Sequence, residues 1–318
     1  MLENMGNTMK MRWRQFYNLL VEPSLSAEEL KKLSWAKRIE SYDAVPDIYK
    51  FFFYPFLTEG KAFPYTILTP TFEGLLQSRT TEKLVCVFDD EICVLERGAD
   101  TVKICGYLLD DISCIEVRIV LLVSQITIFG ITKDGLPALI PIKFNTATEE
   151  LFTPILEKIR RATINSDGGE LGSEIGKLDY LEKLNYKFMN YARRSLLGGE
   201  KVLQIILQPR IQAQVFKFLG KTFCKAISPA HLSILTNREL ILIREEDNQK
   251  SLAEYGKVWD YIRLKKIVNL SLGGEGGKYL KLIIQLPDGI RIENLYQASA
   301  KQEINQLLSQ FASITAFN

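Results

Sequence analysis

Histidine is all but missing from this sequence: His231 is the only one in 318 residues. A Ser–His–Asp relay or a histidine-bearing metal centre would have to use it. No G-x-S-x-G element and no C-x-x-C pair stands in the chain to complete either. His231 is therefore expected as a structural or surface residue, and neither a metal nor a cofactor is expected. Long apolar runs are missing too: none approaches the roughly 18 residues that a membrane span needs. Residues 1–11 show no charged segment followed by an apolar core, so no export signal is expected. Net charge is nearly absent, +2 from 40 basic and 38 acidic side chains. With no recognition motif beside it, that balance gives nucleic acid no electrostatic footprint.

Two glycine-bearing stretches invite nucleotide readings and fail on spacing. Gly220-Lys221-Thr222 needs a glycine at 215, where Val215 stands, and a strand pattern follows it instead of a helix. Gly273-Gly274-Glu275-Gly276-Gly277 needs a glycine at 279, where Tyr279 stands. The five cysteines are Cys86, Cys93, Cys105, Cys114 and Cys224, and four lie among Val, Leu, Ile or Tyr in predicted strands. They read as reduced core residues of a cytoplasmic protein.

What the chain does contain is a repeat. Residues 261–311 carry Ile262, Leu264 and Ile267, an apolar run over 280–286, a Pro287-Asp288-Gly289 turn and a second alternating run over 290–296. An earlier copy carries Tyr107, Leu109, Ile112 and Ile115, an apolar run over 126–129, a Lys133-Asp134-Gly135 turn, then Ile140, Ile142 and Phe144. A second anchor lies upstream, where Ile67-Leu68-Thr69-Pro70 returns as Ile206-Leu207-Gln208-Pro209. Short apolar runs flanked by turn residues predict hairpins over 83–96 and 231–244. Each copy closes on an amphipathic stripe, Phe152, Ile155 and Ile159 in one and Ile304, Leu307 and Phe311 in the other. Thr146-x-x-Glu149 and Ser299-x-x-Gln302 read as capping boxes for these two helices. Several antiparallel strands followed by one helix is an α+β pattern.

Length favours about two domains. The expected division is a helical and aromatic extension over 1–61, a first module over 62–163, a helical connector over 164–197 and a second module over 198–318. In the extension, Ser26-Ala27-Glu28-Glu29 reads as a capping box ahead of Leu30, Leu33, Trp35 and Ile39. The run Tyr49, Phe51, Phe52, Phe53, Tyr54 and Phe56 is broken by Pro55, which predicts an edge element or a helix stopping there, packed on the first sheet. In the connector, Ile175, Leu178, Leu181, Leu184 and Phe188 share one helical side. Charge is divided between the copies: residues 65–163 hold 10 basic and 14 acidic side chains, residues 199–318 hold 16 and 11. That split is compatible with different partners, with attraction between the halves, or with two differently solvated surfaces.

The pattern resembles tandem bacterial pleckstrin-homology-like domains. The resemblance rests on Leu196-Leu197-Gly198-Gly199-Glu200-Lys201, on Leu235-Thr236-Asn237-Arg238-Glu239-Leu240, on Trp259-x-Tyr261-Ile262-x-Leu264-x-x-Ile267, and on the closing helix. It covers about 62–162 and 196–318 and implies two strongly bent antiparallel sheets or partly open barrels, each plugged by its C-terminal helix. It further implies a non-enzymatic docking role. The basic cluster of eukaryotic relatives between the first two strands is represented only by Lys217, Lys221 and Lys225, and 299–318 lacks their tryptophan. Phosphoinositide binding is thus not carried over.

Two surfaces are candidates for docking. Arg210, Lys217, Lys221, Lys225, Lys257, Arg263, Lys265 and Lys266 make a candidate basic patch for anionic headgroups or an acidic peptide, the plainer reading being a scattered solvated face. Arg12, Trp13 and Arg14, with Lys10 and Phe16, suit a membrane-interface helix, though packing by the aromatics predicts the same letters. The doublets Asp89-Asp90 and Asp110-Asp111 are expected as solvated turn residues. The expected function is docking of a protein or peptide, with an anionic membrane surface or self-association along a sheet edge left open. The alternative is a hydrolase or other enzyme with a site between the N-terminal extension and the first module.

Overall fold

The computed structural model describes residues 35–59, 62–71, 81–162, 170–218, 221–246, 256–274, 277–287 and 289–316; the side chains of residues 57, 214–218 and 221–224 lie outside the description. The fold is α+β, and among the described residues every strand pair is antiparallel and no sheet closes into a barrel.

The chain enters through β1 (Lys37–Ile39) and α1 (Asp47–Thr58). The helical stripe expected to include Ile39 is thus corrected, because Lys37–Ile39 pairs with the next strand instead. Pro55 lies inside α1, one turn before its end, so the aromatic run does not stop there. Helical spacing puts Tyr49 and Phe53 on the buried side, where they meet Leu84, Cys86 and Leu95 of the first sheet. Phe51, on the other side, is exposed.

Seven strands follow: β2 (Tyr65–Thr69), β3 (Lys83–Val87), β4 (Glu91–Arg97), β5 (Val102–Leu108), β6 (Ile112–Val120), β7 (Val123–Ile131) and β8 (Pro137–Asn145). A 3-10 turn over Leu109–Asp111 separates the fourth from the fifth, and α2 (Thr153–Arg161) closes the run. After α3 (Leu171–Gly176) and α4 (Leu181–Ser195) the order returns. It runs β9 (Val202–Gln208), β12 (His231–Thr236), β13 (Glu239–Glu245), β14 (Gly256–Arg263), a 3-10 turn over Leu264–Lys266, β15 (Asn269–Gly273), β16 (Tyr279–Gln285), β17 (Arg291–Gln297) and α5 (Lys301–Thr315). The second run differs by an inserted hairpin, β10 (Ile211–Phe218) with β11 (Lys221–Ser228), which forms a two-stranded sheet of its own. Both Asp-Gly turns put their glycine, Gly135 and Gly289, at a left-handed φ that other residues resist.

The two runs are not separate bodies. β6, fifth in the first run, lies on β14, fourth in the second, in register from Gly256 opposite Val120 to Ile262 opposite Cys114. The result is one seven-stranded sheet in the order β8-β7-β6-β14-β13-β12-β9. The period-2 alternation of β6 sends Ile115, Val117 and Ile119 to one face and Cys114, Glu116 and Arg118 to the other. On the first face, the β2–β5 sheet covers the β6–β8 part, and α3 and α4 cover the second run's part, in one continuous core. On the opposite face, β15–β17 and α5 cover the second run's part in a second core. β12 and the Glu239–Ile243 stretch of β13 are therefore buried on both sides, which explains their nearly unbroken apolar run. Each fully buried Ile or Leu there contributes on the order of 1.5–3 kcal/mol.

Three local expectations need correction. Thr146 donates its hydroxyl to the Leu121 carbonyl, 3.1 Å away, and the turn is capped by Asn145, whose side chain accepts from the Ala147 amide; α2 itself starts at Thr153 with Pro154 in its first turn. Neither does Ser299 cap α5, whose N-cap is Ala300 with no side-chain bond. The connector is two helices with non-helical backbone at Asn185 inside the second, so Leu178, Leu181 and Phe188 are buried while Leu184 is 63% exposed.

Candidate functional site

The joint between the two runs is where charged and aromatic side chains converge. Arg160, in the last turn of α2, is buried and reaches from the first run into the second. Its Nε donates to Glu239 Oε2 at 2.9 Å, and its Nη2 donates to the Ser195 carbonyl at 2.8 Å and stands 3.5 Å from Glu200 Oε2. The guanidinium also lies over the Tyr261 ring, 3.9 Å from the centroid. Glu200 accepts from the Leu197 amide at 2.7 Å and the Thr236 hydroxyl at 3.2 Å, so its buried oxygens are bonded. Burial, and then the neighbouring Glu239, still push its carboxyl well above the usual carboxylate range.

Four further contacts tie acidic positions of one half to basic positions of the other. Lys265 meets Asp110 at 2.9 Å and Lys266 meets Asp111 at 3.4 Å, turn against equivalent turn. On the far face of the sheet Arg244 bridges Glu116 at 3.3 Å and Asp260 at 3.1 Å, and Arg118 meets Glu246 at 3.3 Å. Three of these contacts, at Asp110, Asp111 and Glu116, follow the charge split of the sequence, whereas Arg118 and Arg160 pair in the opposite sense. Asp110 and Asp111 lie in a turn, as expected, Asp110 exposed and Asp111 half-buried, and each also meets a lysine of the other half. Arg263 is buried in the same seam, donating to the carbonyls of Leu109 and Ile159.

Above the seam lies a groove of about 440 Å³. Its floor is the sheet itself, Val117 and Ile119 of β6 beside Trp259 and Tyr261 of β14; α2 and α4 form its walls, and the Leu121 hairpin tip lies at its rim. Tyr191 of α4 meets Trp259 edge to face at 5.4 Å between centroids. Lys257 is half-buried, with its Nζ 4.5 Å from the Tyr191 ring centre and 5.5 Å from that of Trp259. Arg194 lines the same groove and is exposed. Among the described residues, neither cation has a carboxylate within 4.0 Å. Burial lowers the Lys257 ammonium's pKa, with Arg194 and Lys187 acting the same way and Glu149 against them. A half-dry cation between aromatic walls, with a second cation at the rim, is a seat for one anionic group next to apolar surface.

The eight basic residues proposed from the sequence are not all brought together, because four of them are engaged elsewhere. Arg210 pairs with Glu245 at 3.3 Å, Arg263 is buried, Lys265 and Lys266 face the aspartates, and Lys225 is exposed on the inserted hairpin. Lys217 and Lys221 lie on that hairpin with side chains outside the description, and Arg12, Trp13 and Arg14 lie outside the described residues. Among those whose side chains are described, Lys257 is the one that lines the groove. Tyr191, Arg194 and Arg160 were not singled out, since the groove draws on segments far apart in sequence and no local spacing marks it. One signal was available: Lys257, Trp259 and Tyr261 alternate on one strand face, where the first copy, 155 positions earlier, has Val102, Ile104 and Gly106.

Among the described residues no group of three or more His, Cys, Asp or Glu side chains could hold a metal ion, and no helix is long and apolar enough to cross a membrane. No protein-family model matches the chain, nor does any curated protein.

Proposed function

We propose that this chain is a non-enzymatic docking protein of two pleckstrin-homology-like modules, 62–163 and 198–318, and that a segment of a partner protein binds in the groove at their joint. The repeated order of four strands, a 3-10 turn, three strands and a helix supports the modular reading. The observation that carries the function is the groove itself. It combines an aromatic floor with two cations that have no carboxylate within 4.0 Å, on a sheet that both halves must build together. A volume of about 440 Å³ suits a few side chains of an inserted segment. A flat anionic bilayer is favoured less, because Arg210, Lys265 and Lys266 are already held by acidic side chains. The enzyme alternative is favoured less as well, because the space between α1 and the first sheet is filled by Tyr49 and Phe53 packed on Leu84 and Leu95.

The test is selection of a randomised peptide library against the full chain. Enriched peptides are expected to bind wild type and to lose at least about tenfold in affinity, or 1.4 kcal/mol, with Trp259→Ala. Enrichment of nothing, or equal binding to that variant with its fold intact by circular dichroism, would overturn the reading.

A further inference from the structure

We infer that the segment taken by the groove is anchored by a carboxylate, an Asp or Glu side chain of the partner, held between Lys257 and Arg194 with a neighbouring apolar side chain against Val117, Ile119 and Trp259. This rests on the docking reading above and names the chemistry the groove selects.

Lys257 lines the groove between two aromatic rings. Its ammonium is half-removed from water by the Tyr191 and Trp259 rings, which supply cation–π attraction but no full counter-charge. Burial removes hydration and Arg194 and Lys187 add like charge; Glu149 offsets only part of this, so the protonated amine is held less comfortably than in water. Lys187 has its own partner, Glu245 at 3.0 Å, and Arg160 is satisfied by Glu239 and Glu200. Lys257 and Arg194 are the two cations of the groove that an arriving anion would neutralise.

The charge of that anion follows from the rim. Glu149 and Glu157 also line the groove, and Glu157 is only partly neutralised, by Arg161 at 3.5 Å. A dianionic phosphate would meet these carboxylates in a half-dry site, whereas a single carboxylate balances one cation and shares the second. The rest of the floor is apolar, so a carboxylate on a segment that also offers an aliphatic or aromatic side chain fills both parts. Arginine can receive a carboxylate through two parallel N–H donors, which gives the contact direction as well as charge.

The experiment uses the full chain and the peptides enriched in the selection. The expected result is an Asp or Glu at a fixed position beside an apolar residue. Replacing that acid by its amide should weaken binding at least about tenfold, and so should Lys257→Met or Arg194→Gln in the protein. The amide peptide should bind wild type and Lys257→Met alike, which a variant that merely fails to fold would not show, and affinity for the acidic peptide should fall as salt rises. Groove-binding peptides sensitive to Trp259→Ala but indifferent to Lys257→Met would overturn the carboxylate while leaving the docking reading in place. Retention on phosphatidylglycerol vesicles, abolished by Lys257→Met and without any enriched peptide, would assign the cations to a lipid phosphate and overturn both.

Discussion

Replacing Arg160 by methionine removes a buried charge of α2 that ties the end of the first run to the second. Methionine keeps much of the length and apolar stem, so the loss is mainly the guanidinium. Three acceptors lose it: Glu239 at 2.8 Å, the Ser195 carbonyl at 2.8 Å, and Glu200 at 3.5 Å. Both carboxylates are almost fully buried, at 1% and 3% exposure, and would lose the cation they share. Breaking a buried pair from one side costs about 3–5 kcal/mol, and the contact with Tyr261 adds up to about 2 kcal/mol. The deficit should depend on pH. The folded-state pKa of Glu200 already stands above its unfolded value, by burial and by Glu239. Its contribution is therefore fully present below the unfolded pKa and lost as pH rises through the folded one. Without Arg160 that pKa climbs further, so the variant should be nearest wild type in acid and furthest at alkaline pH. Urea unfolding followed by circular dichroism at pH 5.5 and pH 8 measures this, and adding Glu239→Gln should restore part of the loss. A deficit under about 1 kcal/mol at pH 8, or one of equal size at both pH values, would refute the role given to this cluster.

Other substitutions test other parts of the molecule. Asp260 is buried with its pKa raised to about 6, by burial before Arg244 pulls it down. Its stabilising share is present below the unfolded value of 3.8 and lost between there and about 6, by up to about 3 kcal/mol. Asp260→Asn should flatten that part of a stability-against-pH curve. His231 runs the opposite way. Buried beside Tyr296 at 4.8 Å, it has its pKa lowered to about 4 by burial, so its share is present above the unfolded 6.5 and lost as pH falls through about 4. His231→Gln should reduce acid sensitivity in thermal melts over that window. Gly130→Ala would put a methyl group 2.4 Å from the Asp111 carbonyl oxygen and 2.9 Å from Ile112 Cα, both backbone atoms, and should cost at least about 1–3 kcal/mol in urea unfolding. Leu121 carries a left-handed φ of 53° at an exposed hairpin tip, so Leu121→Gly should be neutral or raise stability by up to about 1 kcal/mol, read as an unchanged or higher urea midpoint.

The strands, the repeat and the closing helices are written in local pattern, because a two-residue alternation or a stripe such as Phe152, Ile155 and Ile159 depends on neighbours in the chain. The 155-residue offset survives in the structure as Asp110 facing Lys265 and Asp111 facing Lys266. At Thr146 and Ser299 the hydroxyls fit a capping pattern, but a 3-10 turn intervenes before the helix, so the pattern places the helix start too early. The joint was not legible. Alternation tells which face of β6 is apolar, whereas its neighbour β14 lies more than a hundred residues away, and the backbone bonds that join them are the same for any partner and leave no mark on the side-chain pattern. The groove inherits that obscurity, since it exists only where the two strands meet. Basic residues were countable in the sequence, but which of them had found a carboxylate was a property of the assembled seam.

Native-state hydrogen exchange along β6 and β14 tests that seam most directly. If the two halves share one sheet, the amides that pair these strands should exchange only as slowly as those in the middle of β13, opening with the whole molecule. Exchange of the β6 and β14 amides within minutes, while β12 and β13 stay protected, would mean that the halves part freely, and the groove would have no permanent floor.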